Sequence, residues 1–380
     1  MSLPKKIFII STSLLALVLI FWGVYYLAFR ETAPKTVTKK EDSKKSIEEE
    51  QPKEIKSDIL PITDEAVLGA TISERGTNIK YYSKATGKTY QIDFDGQKKK
   101  SLSTDELLGL IDVIWSPAKT RVLSKFISGS DVHYSFYDYV ESRGVALPES
   151  VTAAVWQNDN KIIYFYHDKV SGKKILSIAD PDGKNWSNIT EVGKGEFLAA
   201  PIPKSGLISF WNSPDAYTET ILQSITAIGG EKKTILSGKF GADYLWSPNG
   251  ENILVSYLNE KGSAGIQLAV TNNKGGELKN LGIPTWVSKC VWSKDGESVY
   301  YALPGLIPEA SVLPNDYDQG KFTTQDTFWK VNIKTGKKER FVDLEKTNGK
   351  FDATKLFLNE SETQLFFINK IDGKLYKIDI

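Results

Sequence analysis

The chain has 380 residues, of which 41% are hydrophobic and 25% are charged, so it can bury a sizeable core and most of it is expected to fold. Its 48 basic and 47 acidic residues balance to a net charge of +1, which provides no general attraction for a phosphate backbone and argues against nucleic acid as a partner. Cys290 is the only cysteine, which excludes an intrachain disulfide and a four-thiolate zinc site.

Residues 7–29 form an apolar run without a charged side chain, and in a helix rising about 1.5 Å per residue they are long enough to cross the hydrocarbon core of a bilayer. A cleaved signal peptide would have a shorter apolar region with small residues before the cut, and a lipoprotein would have a cysteine directly after it. Neither pattern is present, so the sequence predicts a transmembrane signal anchor and a single-pass location in the cell membrane.

The segments on either side of this run are predicted to be a cytoplasmic tail, residues 1–6, and a flexible charged stalk, residues 30–57. The stalk mixes Lys and Glu with two prolines and has almost no large apolar residue, so it cannot build a core. Basic residues flank both ends of the apolar run, so their distribution does not fix its orientation. We place the rest of the chain outside the cytoplasm because the amino tail is very short and a folded domain follows the anchor.

From residue 58 to residue 380 the chain repeats one pattern, in which a large apolar residue is followed by a polar turn and then by a strongly apolar strand. The spacing of roughly 41 to 46 residues, longer only at the sixth row, is that of a four-stranded propeller blade. Turns such as SPNGEN and SKDGES contain the Asn-Gly and Asp-Gly pairs that tight hairpins need. The rows begin at Ile72, Trp115, Trp156, Ile202, Trp246, Trp292 and Leu358.

These seven rows predict an all-β, seven-bladed β-propeller. The recurring Trp is expected to fill the gap between one blade and the next. The last row ends after only three strands, whereas the segment Asp58–Thr63 precedes the first row and has the composition of a fourth strand. We therefore expect this segment to pair with the last row and close the ring, because only a closed ring has no free sheet edge.

The stretches WSPNGEN at Trp246 and WSKDGES at Trp292, together with WSP at Trp115, resemble the WD-like propeller repeats of the TolB carboxyl-terminal domain. The resemblance covers residues from about 58 to 380 and implies a propeller fold. It does not imply a particular function, because such repeats serve scaffolds, transport partners and peptidase gates alike. TolB has a separate amino-terminal domain where this chain has its predicted anchor, so a role in the Tol system is not implied.

No linear motif in the sequence indicates catalysis or a bound cofactor. His133 and His167 lie in strand-like aromatic runs of different rows and are interpreted as structural. The segment Gly262–Gly265 has the wrong spacing for a G-x-S-x-G elbow, and no phosphate-binding loop is present. Asp316 and Asp318 alternate as in a calcium loop but lack a third acidic ligand, which favours a polar turn. The sequence therefore predicts no enzyme activity, no cofactor and no metal.

The most distinctive feature is an insertion at residues 303–326, between the second and third strands of the sixth row. Such loops open on the same face as the connections between blades, and a long loop there is typical of a binding site. A shorter loop with Trp211 and Tyr217 nearby occupies the same position in the fourth row. We predict a ligand site between these two loops, formed by Trp211, Tyr217, Asp316, Tyr317, Asp318 and Phe322.

Two functions are compatible with these observations. The first is a non-enzymatic scaffold outside the cytoplasm that binds a protein, a peptide or a polymer of the cell envelope. The second is a glycan-acting hydrolase or lyase whose carboxylates lie around the central channel, where residues from different blades leave no linear motif. An apolar patch with a polar rim would favour the scaffold, and two carboxylates facing each other across a polar pocket would favour the enzyme.

Overall fold

The computed structural model describes residues 58–129, 131–347 and 349–380. Within these residues no helix is both long enough and apolar enough to cross a membrane. This finding corrects the predicted single-pass membrane location, for which the described residues provide no support. The predicted tail (residues 1–6), anchor (residues 7–29) and stalk (residues 30–57) lie outside the described residues.

The described residues form short antiparallel strands. In chain order these are β1 (Ile59–Pro61), β2 (Val67–Ile72), β3 (Asn78–Ser83), β4 (Thr89–Asp93), β5 (Lys100–Ser101), β6 (Leu110–Trp115), β7 (Arg121–Ser128), β8 (Asp131–Asp138), β9 (Arg143–Ala146), β10 (Val151–Asn158), β11 (Lys161–Asp168), β12 (Lys173–Ala179), β13 (Ser187–Gly193), β14 (Phe197–Pro201), β15 (Leu207–Asn212), β16 (Glu219–Thr226), β17 (Gly229–Trp246), β18 (Asn252–Leu258), β19 (Ile266–Asn272), β20 (Lys279–Asn280), β21 (Cys290–Trp292), β22 (Ser298–Leu303), β23 (Thr327–Asn332), β24 (Lys338–Arg340), β25 (Ala353–Leu358), β26 (Gln364–Asn369) and β27 (Leu375–Asp379). The helical elements described are one turn of α-helix at Asn315–Asp318 and two 3-10 turns at Val287–Lys289 and Leu344–Lys346.

In the described part of the chain these strands pair into five four-stranded sheets and one seven-stranded sheet. The four-stranded sheets are β2–β5, β6–β9, β10–β13, β21–β24 and β25–β27 with β1. The seven-stranded sheet runs from β14 to β20 and is continuous because the long strand β17 pairs with β16 and also with β18. The hairpin turns between strands follow the predicted chemistry. Gly250 and Gly296 have φ angles of 73° and 72°, which few residues other than glycine adopt.

Hydrophobic clusters join each sheet to the next one along the chain. Tyr82 of β3, for example, packs with Trp115 of β6 in one such cluster. Further clusters join the later sheets in the same order, and one joins the two halves of the seven-stranded sheet. Ile79 of β3 and Phe366 of β26 share the cluster that brings the last sheet against the first. The sheets therefore form a closed ring, as in a β-propeller.

The recurring tryptophans lie between consecutive innermost strands, as predicted. Trp115 donates its indole hydrogen to the carbonyl of Gly69 at 2.7 Å, and Trp156 donates to the carbonyl of Ile114 at 2.8 Å. Trp292 makes the same kind of bond to a carbonyl of β17 at 3.1 Å. All three side chains are buried. Each tryptophan thus adds apolar burial and a satisfied polar hydrogen to one interface between sheets.

The predicted closure of the ring by residues 58–63 is confirmed. Strand β1 pairs antiparallel with β27, with Ile59 opposite Ile378 and Pro61 opposite Tyr376. The backbone N–H of Leu375 also donates to Thr63 Oγ1 at 3.0 Å. The chain's first described strand therefore completes the sheet built from its last three strands.

We expect Ile59→Ala to lower the free energy of unfolding by about 2–4 kcal/mol, because it removes a large apolar side chain from the closing strand. Ile59 is 3% exposed, whereas its neighbour Leu60 is 41% exposed. Leu60→Ala is the matched control and should cost less than about 1 kcal/mol. Chemical denaturation measures both, and equal losses for the two variants would contradict closure by β1.

Candidate functional site

The insertion at residues 303–326 contacts sheets on different sides of the ring. Asn315 Nδ2 donates to Asp215 Oδ2 at 2.7 Å, and the N–H of Ala216 donates to Asn315 Oδ1 at 2.9 Å. Asp215 and Ala216 lie in the loop between β15 and β16, so the structure brings together the two loops that were predicted to form a site. Pro314 packs on Gly241 of β17, where a Cβ atom would lie 2.7 Å from Pro314 Cδ.

Tyr317 fastens the same helical turn to the sheet of β25–β27. Its hydroxyl donates to Asp352 Oδ1 at 2.5 Å, and its ring stacks on Trp286 with 4.3 Å between the ring centroids. Lys370, in the loop after β26, donates to the Tyr317 carbonyl at 2.7 Å, and its ammonium lies 3.6 Å from the ring centroid. The turn Asn315–Asp318 is therefore held from both sides of the ring.

A fully buried ionic network lies beneath this turn. Lys289 Nζ is 2.6 Å from Asp326 Oδ2 and 2.6 Å from Asp352 Oδ1, and all three side chains are 0% exposed. Thr324 supports the network, because its hydroxyl donates to Asp326 Oδ1 at 2.6 Å and its N–H donates to Asp352 Oδ2 at 3.2 Å. The N–H of Ala353 donates to Asp326 Oδ2 at 2.7 Å. Burial of these charges is tolerable because they are paired and hydrogen-bonded.

The network shifts the pKa values of its members in different directions. Burial raises the pKa of Asp326, although Lys289 acts to lower it. Burial also acts to raise the pKa of Asp352, but Lys289 and the Tyr317 hydroxyl outweigh it, and the pKa of Asp352 is lowered. The pKa of Tyr317 is raised by burial and by its bond to Asp352, so its hydroxyl remains a hydrogen-bond donor at neutral pH.

Asp243 has the most strongly perturbed carboxyl group near the insertion. It lies on β17 and is partly exposed. Its Oδ1 accepts the indole N–H of Trp211 at 3.1 Å and the N–H of Tyr244 at 3.0 Å. No residue in the described ranges donates a hydrogen bond to its Oδ2. Burial raises the pKa of Asp243 to about 6, with the negative charge of Asp318 adding to the rise.

Asp318 brings a second carboxyl group to the same place from the insertion. Its side chain is accessible to solvent, but protein surrounds it closely enough for desolvation to raise its pKa. Lys370 acts in the opposite direction and lowers the pKa of Asp318. The pKa of Lys370 is itself lowered by desolvation, against the charges of Asp352 and Asp318. Two carboxyl groups and one ammonium group therefore share one electrostatic environment.

Two charged side chains bond across the ring. Lys355 of β25 and Asp112 of β6 form an ion pair of 2.6 Å, although the sheet of β2–β5 lies between their sheets in the ring. Their side chains are 53% and 35% exposed. A cavity of about 510 Å³ lies at the far ends of the innermost strands, and its lining includes Ser73 and Glu360. This space forms a central channel with charged walls.

The predicted site residues of the shorter loop differ in accessibility. Trp211 is buried and serves to orient Asp243. Tyr217 is 52% exposed, and its ring lies against Gly262, where a Cβ atom would be 2.9 Å from Tyr217 Cε1. Tyr217 therefore presents an aromatic face to solvent beside the insertion.

The predicted site residues of the insertion also differ in their contacts and in their accessibility. Asp316 accepts the N–H of Val312 at 2.7 Å and pairs with Lys321 at 2.6 Å, so it stabilises the loop itself. Tyr317 is buried, and Phe322 packs against it with 5.7 Å between the ring centroids. Asp318 is the accessible member of the four. No group of three or more His, Cys, Asp and Glu side chains within the described residues is arranged to hold a metal ion.

Sequence reasoning missed the charged residues of the innermost strands. Asp112, Asp243, Lys289 and Lys355 each stand three residues before the start of a row, on or beside an innermost strand. A charged residue at one fixed position of an otherwise apolar repeat was the signal that could have found them. Asp352, which bonds both Tyr317 and Lys289, had no such signal.

Comparisons with known proteins support the fold. No protein-family model matches the chain. An oligogalacturonate lyase from Vibrio parahaemolyticus matches with a TM-score of 0.62 at 10% identity, covering 85% of this chain and 93% of the other. An oligogalacturonate lyase in complex with manganese has a TM-score of 0.59 at 13% identity, with the same coverage. The β-propeller domain of a protease from Pyrococcus furiosus has a TM-score of 0.52 at 12% identity, covering 83% and 93%.

A curated relative, the uncharacterized peptidase YuxL of Bacillus subtilis, is 30% identical over 120 residues. The match covers 31% of this chain and 17% of the length of that relative. The structural matches confirm the propeller fold that the TolB-like repeats imply. They establish the fold alone. The comparisons correct the predictions of a non-enzymatic scaffold and of no enzyme activity, because the matched proteins include lyases and a peptidase.

We expect Lys289→Met to lower the free energy of unfolding by about 3–5 kcal/mol, because it leaves two buried carboxylates without their counter-charge. Lys294→Met, which changes a nearby exposed lysine, is the control and should cost less than about 0.5 kcal/mol. Urea denaturation monitored by tryptophan fluorescence measures both. A loss below 1 kcal/mol for Lys289→Met would show that the network contributes little to folding.

Proposed function

We propose that this chain is a glycan-cleaving enzyme, a hydrolase or a lyase, in which Asp243 donates the proton to the leaving group. The observation that supports this proposal is the state of Asp243. Its Oδ1 accepts hydrogen bonds from Trp211 and Tyr244, its Oδ2 has no donor among the described residues, and its pKa is raised to about 6. A catalytic acid near neutral pH needs a raised pKa and one unoccupied oxygen. These properties distinguish Asp243 from the carboxylates that only hold the fold together.

The reaction follows from these groups. As the glycosidic C–O bond breaks, the proton moves from Asp243 Oδ2 to the departing sugar oxygen, and Asp243 becomes a carboxylate that Trp211 and the Tyr244 N–H stabilise. Asp318 is the second carboxyl group, and Lys370 favours its charged form. In a hydrolase Asp318 activates or replaces the attacking water, and in a lyase it removes the proton from the sugar carbon.

The substrate class is supported by the channel and by the structural neighbours. Charged side chains, including Lys355 and Asp112, line the channel and suit a polar, hydroxyl-rich ligand more than an apolar one. The exposed ring of Tyr217 offers a flat face on which a sugar ring can stack. Two lyases of oligogalacturonate share the fold over most of both chains.

The organisation proposed with this function is a single propeller of seven blades over residues 58–380, with the insertion at 303–326 in the sixth blade. The seven-stranded sheet counts as two blades that share β17, because a hydrophobic cluster lies between its halves as it does between other consecutive sheets. The active site then lies where the fourth, fifth, sixth and seventh blades meet beneath the insertion.

We expect Asp243→Asn to lower kcat on the best glycan substrate by about 10²–10⁴-fold, because it removes the proton donor without changing the shape of the side chain. Glu231→Gln, an exposed change at the other end of β17, is the control and should retain full activity. A screen of polysaccharides by reducing-end release identifies the substrate, and ultraviolet absorbance of an unsaturated product distinguishes a lyase from a hydrolase. Full activity of Asp243→Asn would contradict the assignment of the acid.

The pH dependence provides a second prediction. Because the protonated form of Asp243 is the active one, kcat/KM should fall as the pH rises through about 6. Trp211→Phe removes a hydrogen bond that stabilises the carboxylate, so the pKa of Asp243 rises and the falling limb moves to higher pH. A limb that stays in place or moves to lower pH would rule out Asp243 as the group that titrates.

The relative described as a peptidase favours a second candidate, a propeller that acts on peptides. Its support is 30% identity over 120 residues. Casein-derived peptides are therefore added to the screen. Testing the same variants on them decides between a glycan substrate and a peptide substrate. Peptide cleavage that Asp243→Asn abolishes, with no glycan cleaved, would move the substrate class to peptides.

A further inference from the structure

The short helical turn Asn315–Asp318 is anchored by residues that do not themselves face the channel. Pro314 precedes the turn and packs on Gly241 of β17, two residues before Asp243. The N–H of Asp318 donates to the Pro314 carbonyl at 3.0 Å, so Asp318 lies one helical turn after Pro314 and on the same face. This geometry directs Asp318 toward the segment of β17 that carries Asp243.

Tyr317 is the residue that prevents the turn from rotating. Its hydroxyl bond to Asp352 and its stack on Trp286 attach it to two different elements of the ring. Its 4% exposure shows that it does not meet a ligand directly. The indole nitrogen of Trp286 is buried without a hydrogen-bond partner among the described residues, so the Trp286 ring serves packing alone.

We propose that Tyr317 is a positioning residue that holds the Asp318 carboxylate opposite Asp243 and beside Lys370. For catalysis this inference rests on the proposed function, but the geometry and its electrostatic effect do not require a substrate. Lys370, from the loop after β26, acts on Asp318, and Lys370 is itself affected by Asp352 before β25 and by Lys289 of the 3-10 turn before β21. Among these groups the negative charge of Asp318 acts on Asp243 and favours its protonated form.

The experiment compares Tyr317→Phe, Asp318→Asn and Tyr376→Phe with the unmodified chain. Tyr317→Phe keeps the ring and removes only the bond to Asp352. Tyr376→Phe is the matched control, because its hydroxyl also donates to an aspartate, Asp372 Oδ2 at 2.6 Å, but outside the site. The measurement is the pKa of Asp243 from the pH dependence of its side-chain carboxyl ¹³C resonance.

We expect Asp318→Asn to lower the pKa of Asp243, Tyr317→Phe to lower it by a smaller amount, and Tyr376→Phe to leave it unchanged. Tyr317→Phe should also lower kcat by roughly tenfold to a hundredfold while changing KM little, because the misplaced group acts in the transition state. A pKa and a kcat that Tyr317→Phe leaves unchanged, while Asp318→Asn alters them, would overturn the positioning role.

A second variant covers the case in which Tyr317→Phe does not fold. Asn315→Ala removes the opposite anchor of the same turn, its bond to Asp215, and should lower the pKa of Asp243 in the same direction. If no glycan or peptide is cleaved but these pKa changes occur, the proposed function fails and the positioning role stands. If cleavage depends on Asp243 but neither Tyr317→Phe nor Asn315→Ala changes the cleavage, the proposed function stands and the positioning role fails.

Discussion

The packing of one tryptophan between consecutive innermost strands is the interaction on which the ring depends. The indole of Trp115, for example, is buried against the preceding sheet and also satisfies a carbonyl of its innermost strand. Such a contact combines a large apolar area with a directional bond, so it fixes both the distance and the height of one sheet relative to the next. In a closed ring these constraints act on every sheet. The pairing of β1 with β27 involves only three residues of β1, but it closes the ring and so affects all the sheets.

The insertion is attached by buried charges as well as by an apolar cluster that includes Leu313 and Tyr317. Lys289, Asp326 and Asp352 are fully buried and mutually paired, and Tyr317 and Thr324 extend their hydrogen bonds into the insertion. Apolar packing would tolerate small rotations of the loop, whereas hydrogen bonds to buried charges have strict geometry. A long insertion with one turn of helix at Asn315–Asp318 is thereby held in one defined conformation.

The chemistry of the site comes from placing like charges in a partly desolvated channel. The burial of Asp243 and the negative charge of Asp318 both favour protonation of Asp243. The fold itself supplies only the channel, and propellers of the same shape support different activities. At 10–13% identity the matched lyases establish the fold alone, so the proposed function rests on these side chains.

The sequence by itself determined the strand order, the turns, the repeat and the closing role of residues 58–63, because hairpin chemistry and apolar alternation are local properties. It also located the two loops that meet through Asn315 and Asp215. Only the tertiary structure decided that Asp316 stabilises its own loop while Asp318 stays accessible to solvent, and that the pKa of Asp243 is raised. A pKa depends on burial and on charges from distant parts of the chain. The fold brings residues of three sheets together at this site, which no local pattern can encode.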